Sequence, residues 1–280
     1  MRASGLLSEA GRERIGRFRE CLNGAAADPS REETIHDLRV SIRRVLAWIA
    51  VHEAMAGPDR RLTAARASLK RLMSPLGKLR DAQVKRDRIR GLVPAGDEPS
   101  YRYAVLVVSD VLRWERRAGK LLAGKRIRAI RVPMPGAFPE GRGGGNAPDE
   151  GALLLARLWA DVARHTPAAL DPSNPLALHR MRLAFKKYRY AWEALAPGGG
   201  HGNAKRTAKR LHAFQTLLGT IHDCDGILVE ARAFREGILG LREECALETA
   251  FRTLRSRSFR EFREMAGKLE SLRPLCPSNR

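Results

Sequence analysis

Apolar residues recur every three or four positions along nearly the whole chain, and no stretch alternates convincingly like a half-buried strand. In TIHDLRVSIRRVLAWI (34–49), Ile35, Leu38, Ile42, Val45 and Ile49 fall on one helical face. Breakers interrupt the pattern at AAADPS before residue 31, GP at 57–58, VPAGDEPS at 93–100, DPSNP at 171–175 and APGGGHGN at 196–203. Helices of roughly 20 to 35 residues are predicted between them, long even for bundles. The fold class is all-α.

One stretch has no such rhythm. VPMPGAFPEGRGGGNAP (132–148) is rich in Pro and Gly and apolar only at Val132, Met134, Ala137, Phe138 and Ala147, which reads as a flexible linker. The expected organisation is a helical bundle over 1–132, a linker over 133–149 and a second bundle over 150–280, with about four helices in each.

The two halves repeat. IHDLRVSIRRV (35–45) aligns with LHRMRLAFKKY (178–188), which matches His36 to His179, Arg39 to Arg182 and Arg43-Arg44 to Lys186-Lys187. LKRLMSPLGKLRDAQ (69–83) aligns with LHAFQTLLGTIHDCD (211–225), which matches Gly77 to Gly219, Arg80 to His222 and Asp81 to Asp223. Such duplication predicts two similar four-helix bundles facing each other across a pseudo-twofold axis, with the repeated helices at the seam.

Charge is distributed along these same helices. At 100° per residue, His36, Arg39 and Arg43 lie within roughly 60° of one another, to one side of the apolar face. His179, Arg182 and Lys186 do the same, and Tyr190 extends their line. A second pair of stripes comprises Arg66, Lys70, Gly77 and Arg80, and then Lys205, Lys209, His212, Gly219 and His222. Arg44, Lys78, Lys187 and Arg189 stand beside these stripes in the same motifs. Ordinary solvated faces mix signs, because i,i+4 ion pairs stabilise a helix by about 0.3 kcal/mol and like charges cost a similar amount. Residues 38–80 carry ten Lys/Arg against two acids, and residues 178–222 carry nine against one. Residues 223–272 carry nine against ten, so a uniformly basic background is not the explanation. The stripes read as walls of one anion site.

His36 and His179 hold matching places before basic residues, and an imidazole, neutral or protonated, can donate to a phosphate oxygen. Gly77 and Gly219 interrupt helical patterns at a cost of about 1 kcal/mol each against Ala, which suggests close helix approach or ligand access. Pro75 should kink or interrupt its helix. Asp81 and Asp223 read as orienting nearby Arg or His groups, or as capping a turn, in preference to ligating a metal.

Over the whole chain of 280 residues, Lys plus Arg is 52 and Asp plus Glu is 31, a net charge of +21 that gathers polyanions. The N-terminus reads without a secretory leader, and no stretch approaches the ~20 apolar residues of a membrane span. Cys21, Cys224, Cys245 and Cys276 are widely spaced and expected to be reduced, partly buried thiols. A cytoplasmic protein is expected. Two other readings compete. The His-Asp doublets at 36–37 and 222–223 suit a metal-dependent phosphohydrolase, although Arg180 stands opposite Asp37 and the first doublet does not repeat. A nucleic-acid or nucleoid-associated protein fits the charge, but an aromatic content of 6% supplies few stacking platforms.

Taken together, HDLRVSIRR, LGKLRD, HRMRLAFKK followed by YRY, and LGTIHD resemble the CHAD family, the conserved histidine α-helical domain. The likeness spans essentially the whole chain; its specificity lies in four motifs in order, duplicated. His222 departs from it by standing where the first half has Arg80. The resemblance implies two four-helix bundles around a basic central cavity that binds inorganic polyphosphate, association with polyphosphate granules, and neither catalysis nor a cofactor. Other polyanions would bind at low salt, with no membrane partner. The cationic and histidine positions named above are the expected contacts.

Overall fold

The computed structural model describes residues 3–29, 31–134, 147–195 and 202–273, and among them every regular element is helical. The helices are α1 (Ala3–Ala27), α2 (Glu32–Ala56), α3 (Arg60–Ile89), α4 (Glu98–Ala123), the short α5 (Lys125–Arg128), α6 (Ala147–Ala169), α7 (Pro175–Leu195), α8 (Gly202–Gly237) and α9 (Ala246–Ala266). Their ends follow local chemistry. Gly57, at φ +86°, closes α2 in a conformation that only glycine adopts without strain. The Asp59 carboxylate then accepts from the amides of Arg61 and Leu62 to start α3. Of the breaker at 93–100, residues 93–97 form the loop into α4 and 98–100 its first turn, while most of the breaker at 196–203 lies outside the described residues.

Three expectations need adjustment. α3 runs unbroken through Pro75. The buried ridge Leu69, Leu72, Leu76 and Leu79 holds α3 in place, and its burial offsets the roughly 3 kcal/mol that an interior proline costs. α6 already begins at Ala147, inside the segment read as linker, and 135–146 lie outside the described residues. At 36 residues, α8 slightly exceeds the expected length.

The order of packing is the same in both halves. α1 lies on α2, α2 on α3 and α3 on α4; α6 lies on α7, α7 on α8 and α8 on α9. The repeated helices α2 and α7 also pack on each other, so the apolar faces read from the sequence merge instead of closing two separate interiors. The main core runs from Phe18, Leu38 and Trp48 to Trp159, Tyr188 and Phe214. A smaller core joins the far ends of α3 and α4 to those of α8 and α9 through Ile89, Tyr103, Ile227 and Phe251. There the α4 N-terminal region caps α9: the Ala246 amide donates to Asp97 and the Leu247 amide to Ser100. The buried Arg235–Glu248 pair, 2.7 Å apart, fixes the turn between α8 and α9. Cys21, Cys224 and Cys245 are buried free thiols, and Cys276 is outside the described residues.

Trp48 is the largest wholly buried side chain, and its indole N–H donates to the Leu7 carbonyl at 2.9 Å. Gly11 lies against this ring so closely that an added Cβ would come within 2.5 Å of it. Gly11→Ala will therefore lower stability by about 1–3 kcal/mol despite the better helix propensity of Ala, read as a fall in the thermal midpoint.

Candidate anion-binding cavity

Between the halves, α2, α3, α7 and α8, joined by α4, line a cavity of about 970 Å³. α2 supplies His36, Arg39 and Arg43, and α7 supplies Arg182 and Lys186. α3 adds Lys78, Arg80 and Asp81, and α8 adds His222 and Asp223. The one-sided spacing on α2 and α7 causes this convergence: each helix turns its apolar face into the core and its cationic stripe into the gap.

Charge in the cavity is unbalanced. Among the described residues lining it, eight are Lys or Arg and four are acids. Three of the acids are already engaged: Asp223 pairs with Arg88 at 2.9 Å, Asp110 with Arg113 at 2.8 Å, and Glu230 with Lys85. Asp81 acts electrostatically on Arg39, Arg182 and Lys186 together. Asp223 thus orients an arginine, though it is Arg88, outside the repeated stripes, and the pair ties α8 to α3.

Burial puts these cations under strain. Arg39 is only 6% exposed, and its Nη1 donates to the Leu76 carbonyl of α3. Burial first, and then the neighbouring Arg43, push its pKa down to about 10. Lys186 is pushed down to about 7 by burial, Arg43, Arg182 and Arg39, in that order. Burial and then nearby cations also lower His36, His179 and His222. Arg182 falls for the same first reason, and its buried Nε has no hydrogen-bond partner. A site that crowds half-dehydrated cations without enough acids is stabilised by taking up an anion.

Not every stripe residue reaches the cavity. His179 packs at a tilt against His222, ring centroids 4.9 Å apart, and does not itself line the cavity. Arg66 ion-pairs with Glu53 at 2.6 Å, and Arg189 ion-pairs with Glu193 at 3.1 Å and contacts His212 Nδ1 at 2.9 Å. Arg44, Lys70, Lys187, Lys205 and Lys209 are exposed positions away from the lining. Gly219 has nothing within 4 Å of an added Cβ, so close helix approach does not explain it. At Gly77 the nearest group would be the Arg39 guanidinium, 3.5 Å away.

Sequence reasoning did not select Lys85, Arg113, Trp114, Asp110 or Glu230. Lys85 was legible, because Lys78, Asp81 and Lys85 share one face at helical spacing. The α4 residues carried no such signal, since α4 lies outside the duplicated motifs. Among the described residues, no group of three or more His, Cys, Asp or Glu side chains is arranged to hold a metal ion, and no helix is long and apolar enough to cross a membrane.

These features define an all-helical protein whose two similarly packed halves meet at a cationic cavity. The CHAD domain matches residues 9–228, and the chain belongs to that family. Solved structures, among them the following two, share the fold. The CHAD domain from the plant Ricinus communis is 20% identical, with a TM-score of 0.64, covering 100% of this chain and 93% of the other. PptA from Streptomyces chartreusis is 17% identical, with a TM-score of 0.68, covering 97% and 99%. No curated protein sequence matches.

Proposed function

We propose that the cavity binds inorganic polyphosphate without catalysis, and that this binding carries the protein to polyphosphate granules. The observation behind the reading is the convergence of Arg39, Arg43, Arg182 and Lys186 from the matched helices α2 and α7, with too few acids to neutralise them. Arginine forks can each hold two phosphate oxygens, and Lys186 adds a point charge. A narrow, flexible chain with about one charge per phosphate can enter such a gap, whereas a duplex would meet only its rim.

The deciding experiment is titration with long-chain polyphosphate, single-stranded nucleic acid and duplex at matched charge, with orthophosphate release followed in parallel. Tight polyphosphate binding with no release is the expected result. Equal or stronger duplex binding would overturn the ligand, and metal-dependent release would overturn the absence of catalysis.

Binding will also take up protons. Lys186 at about 7 and the lowered histidines are partly or wholly neutral in the free site near neutral pH. A bound polyanion opposes the field of Arg39, Arg43 and Arg182 and raises them, adding to what Asp81 already supplies. Affinity therefore rises as pH falls through about 7 and levels off once the free groups are protonated. Calorimetry in buffers of different ionisation enthalpy will show net proton uptake on binding at pH 7, and Lys186→Met will remove the share taken up by Lys186.

A further inference from the structure

Beside the anion cavity lies a second one of a different character. It is a groove of about 510 Å³ between α2, α6 and α7, within the range of cavities that hold small organic ligands. Its walls are apolar, formed mainly by Leu46, Leu154, Leu158 and Leu183. Small side chains at Ala47, Ala50 and Ala191 leave its length open. Its polar groups are few: Arg43, Lys186, Lys187 and the Tyr190 phenol.

Two of those groups locate the charged end. Arg43 and Lys186 line both the groove and the anion cavity, so the two adjoin at these cations. Tyr190 lies at the same boundary, close enough to Arg39 and Arg182 to act on both electrostatically. No acid lines the groove. An apolar trough that ends on unneutralised cations complements one kind of molecule, with a hydrocarbon chain at one end and an anion at the other.

We propose that this groove binds a soluble single-chain amphiphilic anion, with its acidic head at Arg43 and Lys186 and its chain along α2, α6 and α7. A single trough accommodates one chain, which favours a monoalkyl phosphate over a two-chain lipid in a bilayer. Such a ligand shares Arg43 and Lys186 with any anion in the larger cavity, but the proposal does not depend on which anion that is.

The test is calorimetric titration of the full chain with hexyl to dodecyl phosphate, kept below micelle formation, with inorganic phosphate and anionic lipid vesicles alongside. One site is expected, with affinity rising about fourfold per added methylene until the groove is full. Leu183 is 43% exposed, so Leu183→Glu should fold normally while placing a carboxylate on the chain path. That variant, and Ala47→Phe, which fills the trough, will lose the chain-length dependence and keep the response to inorganic phosphate. Affinity independent of chain length, an unaffected Leu183→Glu, equal binding of dodecyltrimethylammonium, or binding to vesicles alone would each overturn the proposal. None of these results bears on polyphosphate binding, which is measured separately.

Discussion

Arg39→Gln combined with Arg182→Gln will weaken polyphosphate binding by about a hundredfold or more, while Arg257→Gln with Arg260→Gln will change it little. Each pair removes two formal charges, so net charge alone predicts equal losses. The surroundings differ. Arg39 and Arg182 meet in the cavity from opposite helices, largely desolvated, where a charge-assisted hydrogen bond is worth about 1.5–3 kcal/mol. Arg257 is exposed and already faces Glu261 at 3.3 Å. Because Arg39 also donates to the Leu76 carbonyl, the double variant needs a thermal melt beside the titration. Loss of affinity in a protein that still melts cooperatively supports the cavity; similar losses in the two pairs would mean diffuse binding over the whole basic surface.

Raising salt from 50 to 200 mM will lower polyphosphate affinity by roughly a hundredfold. Five cavity cations remain once Lys85, Arg113 and Arg80, which face Glu230, Asp110 and Glu32, are set aside. Each contact releases counterions, and for a flexible single chain the slope is about −0.7 per contact, which gives about −3.5 in log affinity against log salt. In the Arg39 and Arg182 double variant the slope should fall by about 1.4. A slope near −1 in the parent would mean that only one or two phosphates are engaged and would contradict a chain lying along the cavity.

The parts of this site legible in the sequence are those that depend on helical spacing alone. His36, Arg39 and Arg43 share a face because a helix turns 100° per residue, and the repeat marked Arg182 and Lys186 as their counterparts. The Arg189–Glu193 pair was equally legible, since the residues stand four apart on one helix, and it explains why Arg189 is held back from the cavity. The Arg66–Glu53 pair was not, because it bridges α3 and α2 and depends on how those helices dock.

Periodicity, breakers and duplication therefore determined the all-α class, the order of the helices and the cationic character of the repeated faces, since each is a property of one segment or of two segments compared. Tertiary structure decided the rest. It merged the apolar faces into cores that cross between the halves, brought Lys85 and the α4 residues Arg113 and Trp114 to the cavity, and opened the apolar groove beside Lys186. It also set the protonation of that lysine, because desolvation depends on which distant residues exclude water from a side chain, and no local pattern records that.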